Sequence, residues 1–282
     1  MEKRNFWVIP AVAISFAFAV SSCQPDETTT AATADVVAVT ATDEAQAAAV
    51  NNEVVAVADD YTPSFTATSA KVKSEETAST VDSVLITVDR PDATTYPKVV
   101  TINFGTTGFT GKRGNVLKGK IIVTISNRMN IPGATRTITF ENFSVNGNSI
   151  KGAKVVTCKS DVAWTITAND TITREDGTVI TWSTDRTRTR TSDNQTPLIF
   201  WDDTYSITGT SSGTNAKGKT YSMTIDDANP LIVDGAFPYF TKGKVTLTSE
   251  TKTVLFDYGD GTKDAKATAT IDGVTKNINL RK

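Results

Sequence analysis

From about Thr80 onward the chain alternates apolar and polar residues with a period of two, the pattern of strands that bury one face. Val84-Leu85-Ile86-Thr87-Val88 begins it, and Val99 to Phe104, Lys118 to Ser126, Thr135 to Val145 and Ile150 to Thr157 continue it. Val162 to Thr173, Thr178 to Thr191, Thr204 to Thr210 and Thr220 to Ile225 follow. Gly243 to Ser249, Lys252 to Tyr258, Ala265 to Ile271 and Lys276 to Leu280 complete the set. Turn signals separate these runs: Asn146-Gly147-Asn148, Glu175-Asp176-Gly177, Lys217-Gly218, Gly259-Asp260-Gly261 and Asp272-Gly273. The pattern predicts an all-β, antiparallel body over residues 80–282, long enough to bury a core as one domain. Two architectures satisfy it: a sandwich of jelly-roll type, or a long meander curled into a trough. The sequential hairpins fit the meander better.

Composition supports strands over helices. The chain holds 49 threonines, 27 valines and 19 isoleucines against 7 leucines, and β-branched residues suit a pleated surface. Histidine is absent, which excludes Ser-His-Asp and Cys-His catalytic sets and histidine-based metal sites. Two cysteines are too few for a zinc cluster or a disulfide framework.

Charge divides the chain. Residues 24–70 carry eight acidic side chains, among them Asp43, Glu44, Glu53, Asp59 and Asp60, and no basic one. Residues 71–282 carry a net charge of +5 within an overall −2. The Ala/Thr/Asp-rich acidic stretch reads as a tether. Were its roughly 50 residues fully flexible, they would reach about 35–42 Å. A short helix over 43–58 fits within it, because Val50, Val54 and Val57 fall at helical spacing behind Asp43 as a cap.

The N-terminus carries an address. Lys3 and Arg4 precede an apolar run from Phe6 to Val20, then Ser21, Ser22 and Cys23. A basic start, an apolar stretch and small residues form a secretory signal over 1–22, too short for a comfortable membrane span. Val20-Ser21-Ser22-Cys23 resembles the lipobox of bacterial lipoproteins. That resemblance implies cleavage before Cys23 and acylation of Cys23, hence a membrane partner held through a lipid anchor. Gln24 after the cysteine favours the outer membrane, and Cys23-Gln24-Pro25-Asp26-Glu27 looks like the acidic export tag of Bacteroidetes surface lipoproteins. Residues 23–79 would then be the lipidated N-terminus and tether. Cys158 is left as the only other thiol and reads as a small buried residue.

The body resembles a group of uncharacterised Bacteroidetes lipoproteins. The resemblance is carried by Ile102-Asn103-Phe104-Gly105, Gly119-Lys120-Ile121, Asn142 to Gly147, Ile180-Thr181-Trp182 with Arg186 and Arg188, Trp201-Asp202-Asp203 with Tyr205 to Gly209, and Asp257-Tyr258-Gly259. It covers most of residues 95–282 and implies fold and location, with no activity attached.

Three constellations bear on chemistry. In Thr184 to Thr191, Arg186, Arg188 and Arg190 alternate with other residues, so on a strand they share one face with Trp182, about 6.6 Å apart. A two-residue turn at Asp176-Gly177 would set Arg186 opposite Thr167 and Arg188 opposite Thr165. Such a ladder suits an anionic or acidic-glycan surface, and equally suits pairing with acids on the other neighbouring strand. Trp201, Asp202, Asp203 and Tyr205 combine aromatic rings with acidic acceptors, the pairing a glycan site uses, or else form a loop closing the core. Asp257 to Asp264 spaces its acids unlike a calcium loop and reads as a glycine turn. With a pI near 5.4 and no clustered aromatic-basic motif, nucleic acid is not an expected partner. No cofactor, metal or catalytic residue is expected. The expectation is an outer-membrane, surface-displayed lipoprotein with a binding or structural β domain, glycan or polymer foremost. The alternative is a periplasm-facing trough that handles lipid or lipopolysaccharide.

Overall fold

The computed structural model describes residues 27–62, 79–81, 84–90, 92, 94–192, 203–237, 239–249 and 252–280. One helix precedes the strands: α1, Glu27–Tyr61. Its 35 residues include no glycine or proline and many alanines, so nothing in the sequence interrupts it until Pro63, which cannot continue a helix.

Among the described residues sixteen strands follow: β1 (Ser79–Val81), β2 (Val84–Val88), β3 (Lys98–Asn103), β4 (Phe109–Thr110), β5 (Val116–Ile125), β6 (Thr135–Val145), β7 (Asn148–Cys158) and β8 (Ala163–Thr173). After these come β9 (Val179–Arg190), β10 (Thr204–Thr214), β11 (Thr220–Ile225), β12 (Leu231–Asp234), β13 (Phe240–Ser249), β14 (Lys252–Asp260), β15 (Lys266–Ile271) and β16 (Val274–Asn279). All belong to one antiparallel sheet whose neighbours run in chain order from β1 to β16. Only β4, beside β5, and β12, between β10 and β13, stand off that path. The all-β body is therefore a meander. The short strands β1, β4 and β12 were not expected from sequence; β12 is four residues held between Pro230 and Gly235, too few to alternate visibly.

The strands present alternating burial, as β9 shows from Ile180 through Trp182, Thr184 and Arg186 to Arg188. The inner face of the sheet, with Val100, Ile102, Ile121, Ile138, Val156, Ile207, Leu247 and Phe256, forms one continuous core. The helix lies on that face. It contacts β9 from one part of the sheet and β13, β14 and β15 from another, so the sheet curves around it. From Val39 to Thr62 no helix residue is exposed: Ala47, Ala48, Val54 and Ala58 are fully buried, and so are Glu44 and Glu53. Glycines permit the curvature. At Gly209, where φ is +114°, a Cβ would stand 2.3 Å from the Asp185 carbonyl oxygen. At Gly243, with the same φ, it would stand 2.4 Å from that of Pro230. Neither place admits a side chain without moving the neighbouring strand.

The helix corrects the expectation of a flexible acidic tether with a short helix over 43–58. Over 39–62 this segment is core of the body, not a separate unit ahead of residue 80. Acidic residues suggested a solvated run because their hydrogen-bonded basic partners lie from 53 to 142 positions away in sequence.

Candidate functional site

The most polar region inside the body is the seam between α1 and the sheet. Strand alternation turns Arg136, Lys154, Asp170, Trp182, Arg186 and Arg188 inward, where apolar residues would ordinarily stand, and all are buried. Burying such charges is costly unless each is paired and hydrogen-bonded; the helix supplies the partners of the three arginines, and Lys154 and Asp170 pair with each other.

Glu44 is the most fully coordinated. Its carboxylate accepts hydrogen bonds from Trp182 Nε1 at 2.9 Å, Tyr221 Oη at 2.8 Å, Ser211 Oγ at 2.7 Å and Arg186 Nη2 at 3.0 Å. Arg186 also lies over the rings of Trp182 and Phe240, at 5.1 and 5.8 Å. Burial pushes the Glu44 carboxyl above the usual range, and the Arg186 guanidinium and these donors oppose that. The Tyr221 hydroxyl is likewise driven up by burial, then by the neighbouring Glu44.

Further along the helix, Asp59 is bridged by Arg136 and, at 3.1 Å, by Arg188. Arg188 stacks over Tyr205 at 4.6 Å and Trp164 at 5.4 Å. Arg113, from the loop before β5, donates to Glu53 at 2.7 Å and Asp60 at 2.8 Å. Burial raises both of those carboxyls against the pull of Arg113. Toward the other end, Asp43 accepts from Arg174 at 2.5 Å and from the Ala216 amide at 2.7 Å. Thr40 accepts from Asn215 at 2.6 Å. Between these groups, Lys154 donates to both Asp170 and Asn51.

The sequence placed Trp182, Arg186 and Arg188 correctly on one face, but that face is internal. The ladder is not an outer anion surface; the acids of Arg186 and Arg188 come from the helix, and that of Arg190 from Asp203, just before the neighbouring strand β10. Its register also differs by one residue. Arg186 stands opposite Ile166 and Arg188 opposite Trp164, because Arg174 and Thr178 pair around a longer turn in which Gly177 takes φ +83°. Arg190 lies half-buried, 3.8 Å from Asp203. Asp203 is buried too, accepting from Ser192 at 2.5 Å and Tyr205 at 3.3 Å. Tyr205 and Asp203 thus belong to the body's interior; Trp201, Asp202 and Cys23 lie outside the described residues. Cys158 is buried, and burial raises its thiol. Residues 259–264 of the Asp257 to Asp264 turn are exposed, with Asp257 half-buried and Tyr258 buried, and no cluster of three or more potential metal ligands occurs among the described residues.

Sequence reasoning missed Glu44, Asp59, Arg113, Arg136, Lys154 and Asp170. A signal existed: Lys154 interrupts the inward series Ile150, Val156 and Cys158, and Arg136 precedes Ile138 on the inner face of β6. Charges at inward positions on several strands call for an internal counter-charge. The acidic segment supplies it for Arg136, through Asp59, whereas Lys154 finds its own in Asp170 of the adjoining strand.

Little space remains at the seam. A cavity of about 50 Å³ lies between helix and sheet, bordered by Asn52, Asp59, Arg113, Trp182 and Tyr205 among others. A second gap, of about 100 Å³, lies toward the other end between Gln46, Val50, Arg174 and Ile180; both are smaller than the roughly 300–1,000 Å³ of ligand pockets. The fold and its seam define a class: an antiparallel β meander wrapped around a helix of its own chain and locked to it by buried ion pairs. Comparison with known protein families, curated proteins and solved structures finds no match to any of them.

Proposed function

We propose that this chain is a lipoprotein of the outer membrane, anchored through Cys23 and displayed at the cell surface, whose β domain is a non-catalytic structural or binding module. One observation carries the choice between a module that works on its outside and a carrier that works on its inside: the inner face of the sheet is filled by α1. The seam there is lined with charges paired to the helix, an environment unfavourable to an acyl chain, so the lipid-handling alternative has less support. A glycan or surface polymer, the partner this reading expects, would meet the outer face and the turns instead.

The helix also supports an anchoring role. It begins at Glu27, four residues beyond Cys23. From Glu27 to Thr40 an α-helix extends about 20 Å at 1.5 Å per residue. In this reading the described helix runs without interruption into the core, so an anchor at Cys23 would be joined to the centre of the domain through the helix. No described helix is long and apolar enough to cross a membrane; attachment in this reading is through lipid.

Protease added to intact cells is expected to remove the C-terminal β domain, read by blotting, while periplasmic controls survive. Protection until the outer membrane is broken would overturn surface display.

A further inference from the structure

Lys154, Asn51 and Asp170 form a cluster that the ion-pair seam does not require. Lys154 projects inward from β7, Asp170 from the adjoining β8, and Asn51 from the middle of α1. The three are buried, Lys154 almost completely at 1% exposure. The Lys154 amine donates to the Asn51 side-chain carbonyl oxygen and to Asp170 Oδ2. Asp170 Oδ1 is buried and makes no hydrogen bond. Phe140 and Trp182 flank the amine, their ring centres 5.6 and 5.9 Å from Nζ. An amine, a carboxamide and a carboxyl group are thus in contact with little water around them.

The geometry points to an intramolecular amide between Lys154 Nζ and Asn51 Cγ, formed with release of ammonia and with Asp170 as the proton carrier. Nζ touches Oδ1, one bond away from the carbon it would attack. Nδ2, the leaving nitrogen, is held by a 2.8 Å hydrogen bond to the Ala47 carbonyl. Asp170 takes a proton from the lysine, leaving a neutral amine and a neutral carboxylic acid. The amine's lone pair forms the new C–N bond while the acid hydrogen-bonds the developing oxyanion. Collapse breaks the Cγ–Nδ2 bond as Asp170 gives its proton to Nδ2 and takes up the one that Nζ sheds, so ammonia departs and the new secondary amide is neutral. A primary amine and a primary amide become a secondary amide and ammonia; no oxidant or cofactor is consumed. Burial favours the reactive protonation states, lowering the Lys154 amine and raising the Asp170 carboxyl from their ordinary values. Held contact replaces a bimolecular encounter, which is where such reactions gain most of their rate. Asp170 rather than Asn51 fits the proton-carrying role, because it bonds the amine and has an oxygen to spare.

The consequence is a covalent tie between helix and sheet. A lipid anchor on the helix would then be joined to the β domain by more than packing, which suits a surface module exposed to shear and proteases.

Tryptic mapping of the purified full chain by mass spectrometry tests the assignment. Trypsin should fail to cut after Lys154, and the peptide carrying it should be joined to the one carrying Asn51, lighter than their sum by one ammonia. In Asp170→Ala the two peptides should run separately at unmodified mass. Free, unmodified peptides from the wild-type chain would overturn the proposal, as would a loss of water joining Lys154 to Asp170 instead.

Discussion

Replacing Glu44 by alanine is expected to destabilise the folded chain by about 3–5 kcal/mol, the cost of leaving a buried charge without its partner. The substitution strands the Arg186 guanidinium, which is 4% exposed, together with the donors of Trp182, Ser211 and Tyr221. Leaving buried donors unsatisfied adds about 1–3 kcal/mol for each group that finds no water, so the figure for the ion pair is a floor. Urea unfolding followed by tryptophan fluorescence measures the loss. Adding Arg186→Met to Glu44→Ala should recover part of it, because the stranded charge leaves with its partner. Equal stability of wild type and Glu44→Ala would show that this end of the helix does not hold the fold.

Deleting residues 27–61 should have a still larger effect. The inner face would lose Ala47, Ala48, Val54, Val57 and Tyr61 from the continuous core. Arg113, Arg136, Arg186 and Arg188 would lose all the carboxylates that neutralise them in the seam. A sheet with a charged, unfilled inner face lacks a core to bury. The truncated chain is therefore expected to be insoluble or to unfold without a cooperative transition, read by calorimetry and near-ultraviolet circular dichroism. A soluble truncated chain melting like the full one would mean that the helix is an accessory.

The strands were legible because alternation is local: thirteen of the sixteen follow directly from runs such as Thr135 to Val145 and Lys252 to Tyr258. The meander was legible from hairpin turns at Asn146-Gly147 and Asp272-Gly273, where both residues take positive φ. The helix was harder. Its apolar residues do not gather on one side, and a helix enclosed by a sheet on all sides has no solvent-facing stripe to mark it. Its acids, read along the chain, looked like a solvated tether. Glu44 meets Arg186 across 142 positions, and no local pattern reveals such a pairing. The inward direction of Arg186 and Arg188 was hidden for the same reason: a strand shows which residues share a face, never which face is inside. Asp203 and Tyr205 joined the interior through Arg188 and Arg190, strand neighbours whose direction the sequence left open.

Hydrogen–deuterium exchange of residues 40–61 in the full-length protein tests the helix's place most directly. A helix enclosed by the sheet and held by buried ion pairs should exchange as slowly as the central strands β7 to β9, through global unfolding alone. Exchange within seconds, as an open acidic tether would show, would contradict the account.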